Sequence, residues 1–201
     1  VNVKNSISGI NLKEKIERKF SLPTVVLNDA NSYAISESYS GSGKNYSNVF
    51  FINIGTGIGG GLVINGNLYW GSTGTAGEIG HTTIDANGPK CKCGNTGCLE
   101  MYASGQKIQQ ITNNHSLEIP KEIFKIIGLG FCNIINLYDP DCLIVGGGVA
   151  LKTKDFMNKV FLASDKNVVN KLQQIKNISF AKHGIDGALL GNAIYLNTQL
   201  K

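Results

Sequence analysis

Leu12, Ile16 and Phe20 recur at four-residue intervals among Lys13, Glu14, Lys15, Glu17, Arg18 and Lys19, a pattern that predicts an amphipathic helix with Asn11 as its N-cap. Acids alternate with bases on it, so its polar face reads as solvated rather than as a nucleic-acid arm. After Pro23, Thr24-Val25-Val26-Leu27 predicts a short buried strand, and Ser32 to Ser38 a helix. Gly41-Ser42-Gly43-Lys44-Asn45 reads as a flexible break and a candidate hinge. Asn48 to Ile54 predicts a strand, Leu62-Val63-Ile64 a second, Asn65-Gly66 a tight turn and Asn67 to Trp70 a third. Gln106 to Ile111 looks helical, residues 112–120 form a loop, and Lys121 to Tyr138 predicts a buried helix. Cys142 to Val145 is an apolar strand running into Gly146-Gly147-Gly148, and residues 184–193 read as a loop and a terminal helix rich in small residues.

Composition narrows the class. Of 201 residues 42% are hydrophobic and 16% charged, which fits a folded globular chain rather than a disordered one. The net charge of +5 is spread along the chain and marks no basic patch. No apolar run reaches the roughly 18 residues of a membrane span, and no signal-peptide pattern opens the sequence. A cytoplasmic protein is expected. Cys132 and Cys142, Met101 and Trp70 read as packing residues, and His115 and His183 lack a ligand-spaced partner.

The densest chemistry lies between Gly77 and Gly105. Cys91, Cys93 and Cys98 place three of the five cysteines within eight positions, with His81 ten residues upstream of the first. A Cys-x-Cys-x4-Cys run with a histidine supplies the Cys3His set that a structural zinc ion takes. Lys90 and Lys92 favour the thiolate form. The odd cysteine count argues against disulfides and for a reducing compartment, leaving three free surface thiols as the alternative. Glu78 and Glu100 bracket the set, so fixing four ligands also fixes two carboxylates beside a polar pocket. Elsewhere, Asn28-Asp29-Ala30-Asn31 follows a predicted strand and leads into a helix. There Asp29 is either a base for a substrate hydroxyl or part of an ordinary N-cap. The glycine-rich run Gly55-Thr56-Gly57-Ile58-Gly59-Gly60-Gly61 between two strands suits an anion nest; it is neither a Walker loop nor a Rossmann turn. Gly146-Gly147-Gly148 permits close approach of a flat ligand.

Glu78-Ile79-Gly80-His81 followed by Cys91-Lys92-Cys93-Gly94-Asn95-Thr96-Gly97-Cys98-Leu99-Glu100 resembles the signature of the ROK family of repressors, open reading frames and kinases. Asn28-Asp29-Ala30-Asn31, Gly55-Thr56-Gly57 and Gly184 to Ala193 resemble further motifs of that family. The resemblance implies an α/β fold of the actin-like ATPase, hexokinase and Hsp70 type (ribonuclease H-like). It implies phosphorylation of a hexose or N-acetylhexosamine by ATP with Mg2+, at the 6-hydroxyl. Asp29 would be the catalytic base, and Asn28, Asp29, Glu78, His81 and Glu100 would hold the sugar. Gly55, Thr56, Gly57, Gly59 and Gly60 would hold phosphates, Gly146, Gly147 and Gly148 the adenosine, and His81, Cys91, Cys93 and Cys98 a structural Zn2+. A homo-oligomer with no nucleic-acid or membrane partner is expected.

The family's first phosphate loop, Asp-x-Gly-Gly-Thr, has no counterpart, so the chain is expected to correspond to the later two-thirds of such a kinase. It divides into residues 1–45 as the remainder of a small domain, 46–185 as the large zinc-bearing domain and 186–201 as a terminal helix returning to the small one. A fragment without activity of its own, or the sugar-binding part of a ROK repressor, is the alternative. A zinc-knuckle nucleic-acid module lacks its basic and aromatic surroundings here.

Overall fold

The structure, a computed structural model, describes residues 9–112 and 118–200; His115 lies outside them. Among the described residues five strands form one mixed sheet in the order β3-β2-β1-β4-β5: β1 (Val49–Ile54), β2 (Ile58–Ile64), β3 (Asn67–Leu68), β4 (Cys142–Gly146) and β5 (Asn177–Phe180). β1 and β2 make an antiparallel hairpin with Ile54 opposite Ile58, while β1 runs parallel to β4 and β4 to β5.

The apolar run of β1 has no polar alternation because both its faces are covered. Phe50, Ile52 and Ile54, with Leu62, Leu143 and Val145, pack against the long helix α5 (Lys121–Tyr138) and against α7 (Phe156–Ala163) and α8 (Lys166–Leu172). Val49, Phe51, Val63, Cys142 and Ile144 point the other way, onto Ala34 of α2 (Asp29–Ser40). Helix α9 (Gly187–Gln199) lies along α2, where Gly191 abuts the Ser32 carbonyl and Asn192 Nδ2 donates to Ser32 Oγ at 3.1 Å. The remaining helices are α1 (Leu12–Phe20) and three short ones, α3 (Glu100–Ala103), α4 (Gly105–Ile111) and α6 (Gly148–Lys152). Asn11 caps α1 as its sequence predicts, accepting from Glu14 N at 3.2 Å. Among the described residues no helix is long and apolar enough to cross a membrane.

Three expectations change. Residues 24–27 are extended but join no strand; Val26 is 49% exposed, because no neighbouring strand lies beside them among the described residues. The third strand stops at Leu68. Gly59, Gly60 and Gly61 belong to β2 and not to a turn. A Cβ at Gly61 would lie 2.7 Å from the Ala30 carbonyl and from Ala34 Cβ, so the glycines serve close packing of helix on strand.

At 41–43, the expected flexible break, the chain makes several hydrogen bonds. Glu37, 0% exposed, accepts from Ser42 N at 2.9 Å and from His183 N at 2.7 Å, while its carbonyl accepts from Gly41 and Gly43. Ser42 Oγ donates to Phe180 O at 2.7 Å. One buried carboxylate thus ties the end of α2 to the β5–α9 connection. Glu37→Ala leaves two part-buried amides without their acceptor and is expected to lower stability by roughly 2 kcal/mol, with Glu37→Gln milder, in urea denaturation followed by circular dichroism.

Candidate active site

The hairpin 90–96 and the 3-10 turn Ile79–His81 bring the metal-type ligands together. Lys90 bridges to Thr96, Cys91 N donates to Asn95 O at 2.7 Å, and Gly94 turns the chain with φ +98° so that Gly94 N reaches Cys91 O at 3.1 Å. Gly97, φ +65°, passes against the Asp85 carbonyl where a side chain would collide, and Cys98 then bridges to Thr83. Cys91 Sγ lies 3.6 Å from His81 Nδ1 and Cys93 Sγ 3.6 Å from Cys98 Sγ. All four ligand atoms fall within 4.8 Å of one another. A tetrahedral zinc ion with bonds of about 2.3 Å to sulfur and 2.0 Å to nitrogen needs ligand–ligand edges of about 3.5–3.8 Å, so the set fits with small adjustment of its longer edges. Burial, reinforced by hydrogen bonds and charge from Cys93 and Cys91, pushes the Cys98 thiol up to about 12, whereas the Asn95 backbone lowers Cys93.

The β1–β2 turn is Gly55-Thr56-Gly57, closed by Gly55 N donating to Gly57 O at 3.0 Å. Glu100, first residue of α3, props it from below: Oε2 accepts from Ile58 N at 2.8 Å, and a Cβ at Gly57 would lie 2.6 Å from that oxygen. The start of α4 docks alongside, Gly105 N donating to Gly55 O at 2.7 Å and Gln106 N to Thr56 O at 3.3 Å. Two clefts open on either side of Thr56. One of about 640 Å³ is lined by Thr56, Gly57, His81, Glu100, Lys92 and Lys107, among others. The other, about 520 Å³, is lined by Gly55, Thr56, Gln106, Gly148, Val149 and Lys152, among others.

Asn28 is the N-cap of α2, its Oδ1 accepting from Ala30 N at 2.9 Å, and Asp29 is the first helical residue with its carboxylate exposed. The capping role therefore falls on Asn28. Asn31 is 3% exposed, and its Oδ1 has no hydrogen-bond partner among the described residues. Asp29, Glu78 and Glu100 come from three elements that meet along the first half of β2. Ala30 packs on Gly59, Gly77 (φ +90°) abuts Gly60 on the other face, and Glu100 holds Ile58. Glu78 itself is exposed.

The glycines of the two runs differ in placement. Gly59 and Gly60 are ladder residues opposite Asn53 and Ile52 and lie outside the turn. Of the second run, Gly148 alone lines a cleft. Gly146 is buried in β4, where a Cβ would stand 2.9 Å from the Phe51 ring, and Gly147, φ +88°, presses on the Ile54 carbonyl. Sequence reasoning missed α4 as a cleft wall. Gln109 lines one cleft, Lys107 and Gln110 the other, and Gln106 both, on a helix whose existence is legible in the sequence.

A family model described as ROK family matches residues 2–199. The chain is 35% identical over 159 residues to the xylose repressor of Bacillus subtilis, covering 70% of this chain and 41% of that protein. It is 30% identical over 223 residues to a glucokinase of Halalkalibacterium halodurans, covering 94% of this chain and 68% of the relative. The crystal structure of a ROK family glucokinase from Streptomyces griseus in complex with glucose and AMPPNP superposes with a TM-score of 0.79 and 29% identity, covering 93% of this chain and 72% of that one. The chain thus spans less than half of the repressor and about two thirds of the kinases it resembles.

Proposed function

The chain belongs to the ROK family and has the actin-like ATPase fold of ROK hexokinases, and on that premise we propose that it supplies the acceptor and nucleotide sites for phosphoryl transfer from MgATP to a hexose or N-acetylhexosamine hydroxyl, the 6-hydroxyl being the expected acceptor. The observation that carries the reading is the Gly55-Thr56-Gly57 turn, braced by Glu100 through Ile58 N, with His81 and Glu100 lining one cleft beside Thr56 and Gly148 lining the second.

Phosphoryl transfer asks a protein chiefly for positioning and for stabilisation of developing charge. In this reading the sugar lies against Asn28, Glu78, His81 and Glu100, and Asp29 takes the proton of the attacking hydroxyl. The Gly55-Thr56-Gly57 turn offers backbone N–H groups to phosphate oxygens, and Gly148 leaves the second cleft open for the adenosine. Mg2+ bound with the nucleotide would supply charge neutralisation at the phosphates. A zinc ion held by His81 Nδ1, Cys91, Cys93 and Cys98 would fix the ends of the segment that carries Glu78 and Glu100.

Glu100 does two jobs here, so its removal tests the coupling. Glu100→Ala frees the Ile58 amide and loosens the turn; loss of one charge-assisted hydrogen bond of about 1.5–3 kcal/mol is expected to lower kcat/KM about 10- to 100-fold for sugar and ATP alike. Glu100→Gln, which keeps an acceptor oxygen, is expected to restore the ATP term more than the sugar term. Steady-state kinetics in both substrates check it.

The reading itself is tested by sugar-dependent ADP release with glucose, mannose, fructose, N-acetylglucosamine and N-acetylmannosamine. Release with one of them establishes the kinase. Sugar binding by calorimetry without ADP release from a folded, zinc-loaded preparation favours the second reading, a sugar-sensing module, which the likeness to a xylose repressor supports.

A further inference from the structure

Within the metal cluster the three sulfurs are not equivalent. Cys93 is exposed, whereas Cys98 is 0% and Cys91 8% exposed. Cys93 Sγ touches Cys98 Sγ at 3.6 Å, while Cys91 Sγ is turned to His81 Nδ1 at the same distance. Between Cys93 and Cys98 the backbone turns twice through positive φ, at Gly94 and Gly97, and nothing lies within 4 Å of a Cβ built on Gly94. That loop has room to shorten the sulfur–sulfur separation to the roughly 2.05 Å of a disulfide.

We propose that Cys93 and Cys98 are a reversible oxidation site: a hydroperoxide converts this pair, and no other, to a disulfide and ejects the zinc ion. This rests on the Cys3His zinc reading above. The exposed Cys93 thiolate attacks the peroxide, the O–O bond breaks, and sulfenic acid forms with release of the alcohol (water, from hydrogen peroxide) after protonation. Cys98 sulfur then attacks Cys93 sulfur and expels hydroxide, which leaves as water. Two electrons pass from the sulfur pair to the peroxide. His81 and Cys91 remain, two ligands where a closed zinc site needs four. Released from the ion, His81 and the adjoining Glu78 lose their tie to the Cys91 arm, so oxidation also loosens one wall of the sugar side. A dithiol with added zinc reverses the change.

The test is titration of the zinc-loaded chain with hydrogen peroxide, reading zinc release with a chromogenic chelator and disulfide position by peptide mass mapping. A metal-free sample is oxidised in parallel. One zinc released per Cys93–Cys98 disulfide, with full recovery after dithiol and zinc, is the expected result. Cys93→Ser is expected to give no disulfide at the same peroxide dose. A linkage involving Cys91, a disulfide that persists in Cys93→Ser, or over-oxidised Cys93 without linkage overturns the proposal. Failure of the untreated chain to hold zinc, with the Cys93–Cys98 link still forming in the metal-free sample, refutes the zinc reading and the ejection step while supporting the pairing.

Discussion

Asp29→Asn is expected to reduce sugar-dependent turnover by about 10³-fold, within the range that general bases contribute, while the fold and the sugar affinity change little. The contrast follows from where Asp29 sits. It is the first residue of α2, exposed, and its Oδ1 accepts from Ala30 N at 2.9 Å, a bond that an amide oxygen keeps. The N-cap is Asn28 and is untouched by the change. Losing the negative charge at the helix N-terminus costs about 0.3–1 kcal/mol, too little to unfold the chain. In the proposed mechanism the substitution removes the proton acceptor, so kcat should fall with KM for sugar nearly constant. The check is kcat and KM for whichever sugar supports ADP release, beside a thermal melt of both proteins. Retained turnover in a folded Asp29→Asn variant would mean that another group takes the proton.

Sequence legibility followed local determinants. The β1 strand and α5 were readable because an unbroken apolar run and a long 3.6-residue period need no knowledge of partners. The metal cluster was readable because ligand spacing is itself short-range. Gly59 to Gly61 were read as a turn because glycine codes equally for a bend and for close packing; what decides is Ala30 and Ala34, twenty-nine and twenty-seven positions away from Gly59 and Gly61 respectively. The same holds at Gly41 and Gly43, whose amides donate to the Glu37 carbonyl while Ser42 between them donates to Phe180 O. Helices α7 and α8 and strand β5 carry no motif, and only packing on α5 and β4 defines them. Among the site residues, Glu100 was legible as a carboxylate near the metal ligands. Its hold on Ile58 N was not, because that contact spans 42 positions.

Removal of zinc is expected to have the largest effect on stability. With free zinc about a thousandfold above its dissociation constant, linkage gives about 4 kcal/mol, which for a chain of this size corresponds to a fall in Tm of roughly 10 °C on chelation. The loss should be local at first. The sheet and α5 have a core to which residues 79–100 contribute Ile79, Ile84 and Leu99; between those anchors the segment is held by backbone turns and, once an ion binds, by the four ligands. Hydrogen exchange should therefore accelerate in that segment before it does in β1 and β4. Acid should act in the same direction as the chelator. Burial holds the Cys98 thiol up near 12 without metal, so the ion must displace a proton to bind there, and the histidine must be neutral. Protons compete increasingly as pH falls, and the gap in Tm between loaded and metal-free protein should narrow from pH 8 to pH 6. Because Glu100 follows Cys98 by two residues and braces Ile58, the loosened segment also frees the Gly55-Thr56-Gly57 turn, so on the proposed nucleotide reading ATP affinity should drop with the metal. An unchanged melt and unchanged exchange in residues 79–100 after verified zinc removal would show that the fold orders the carboxylates without the ion.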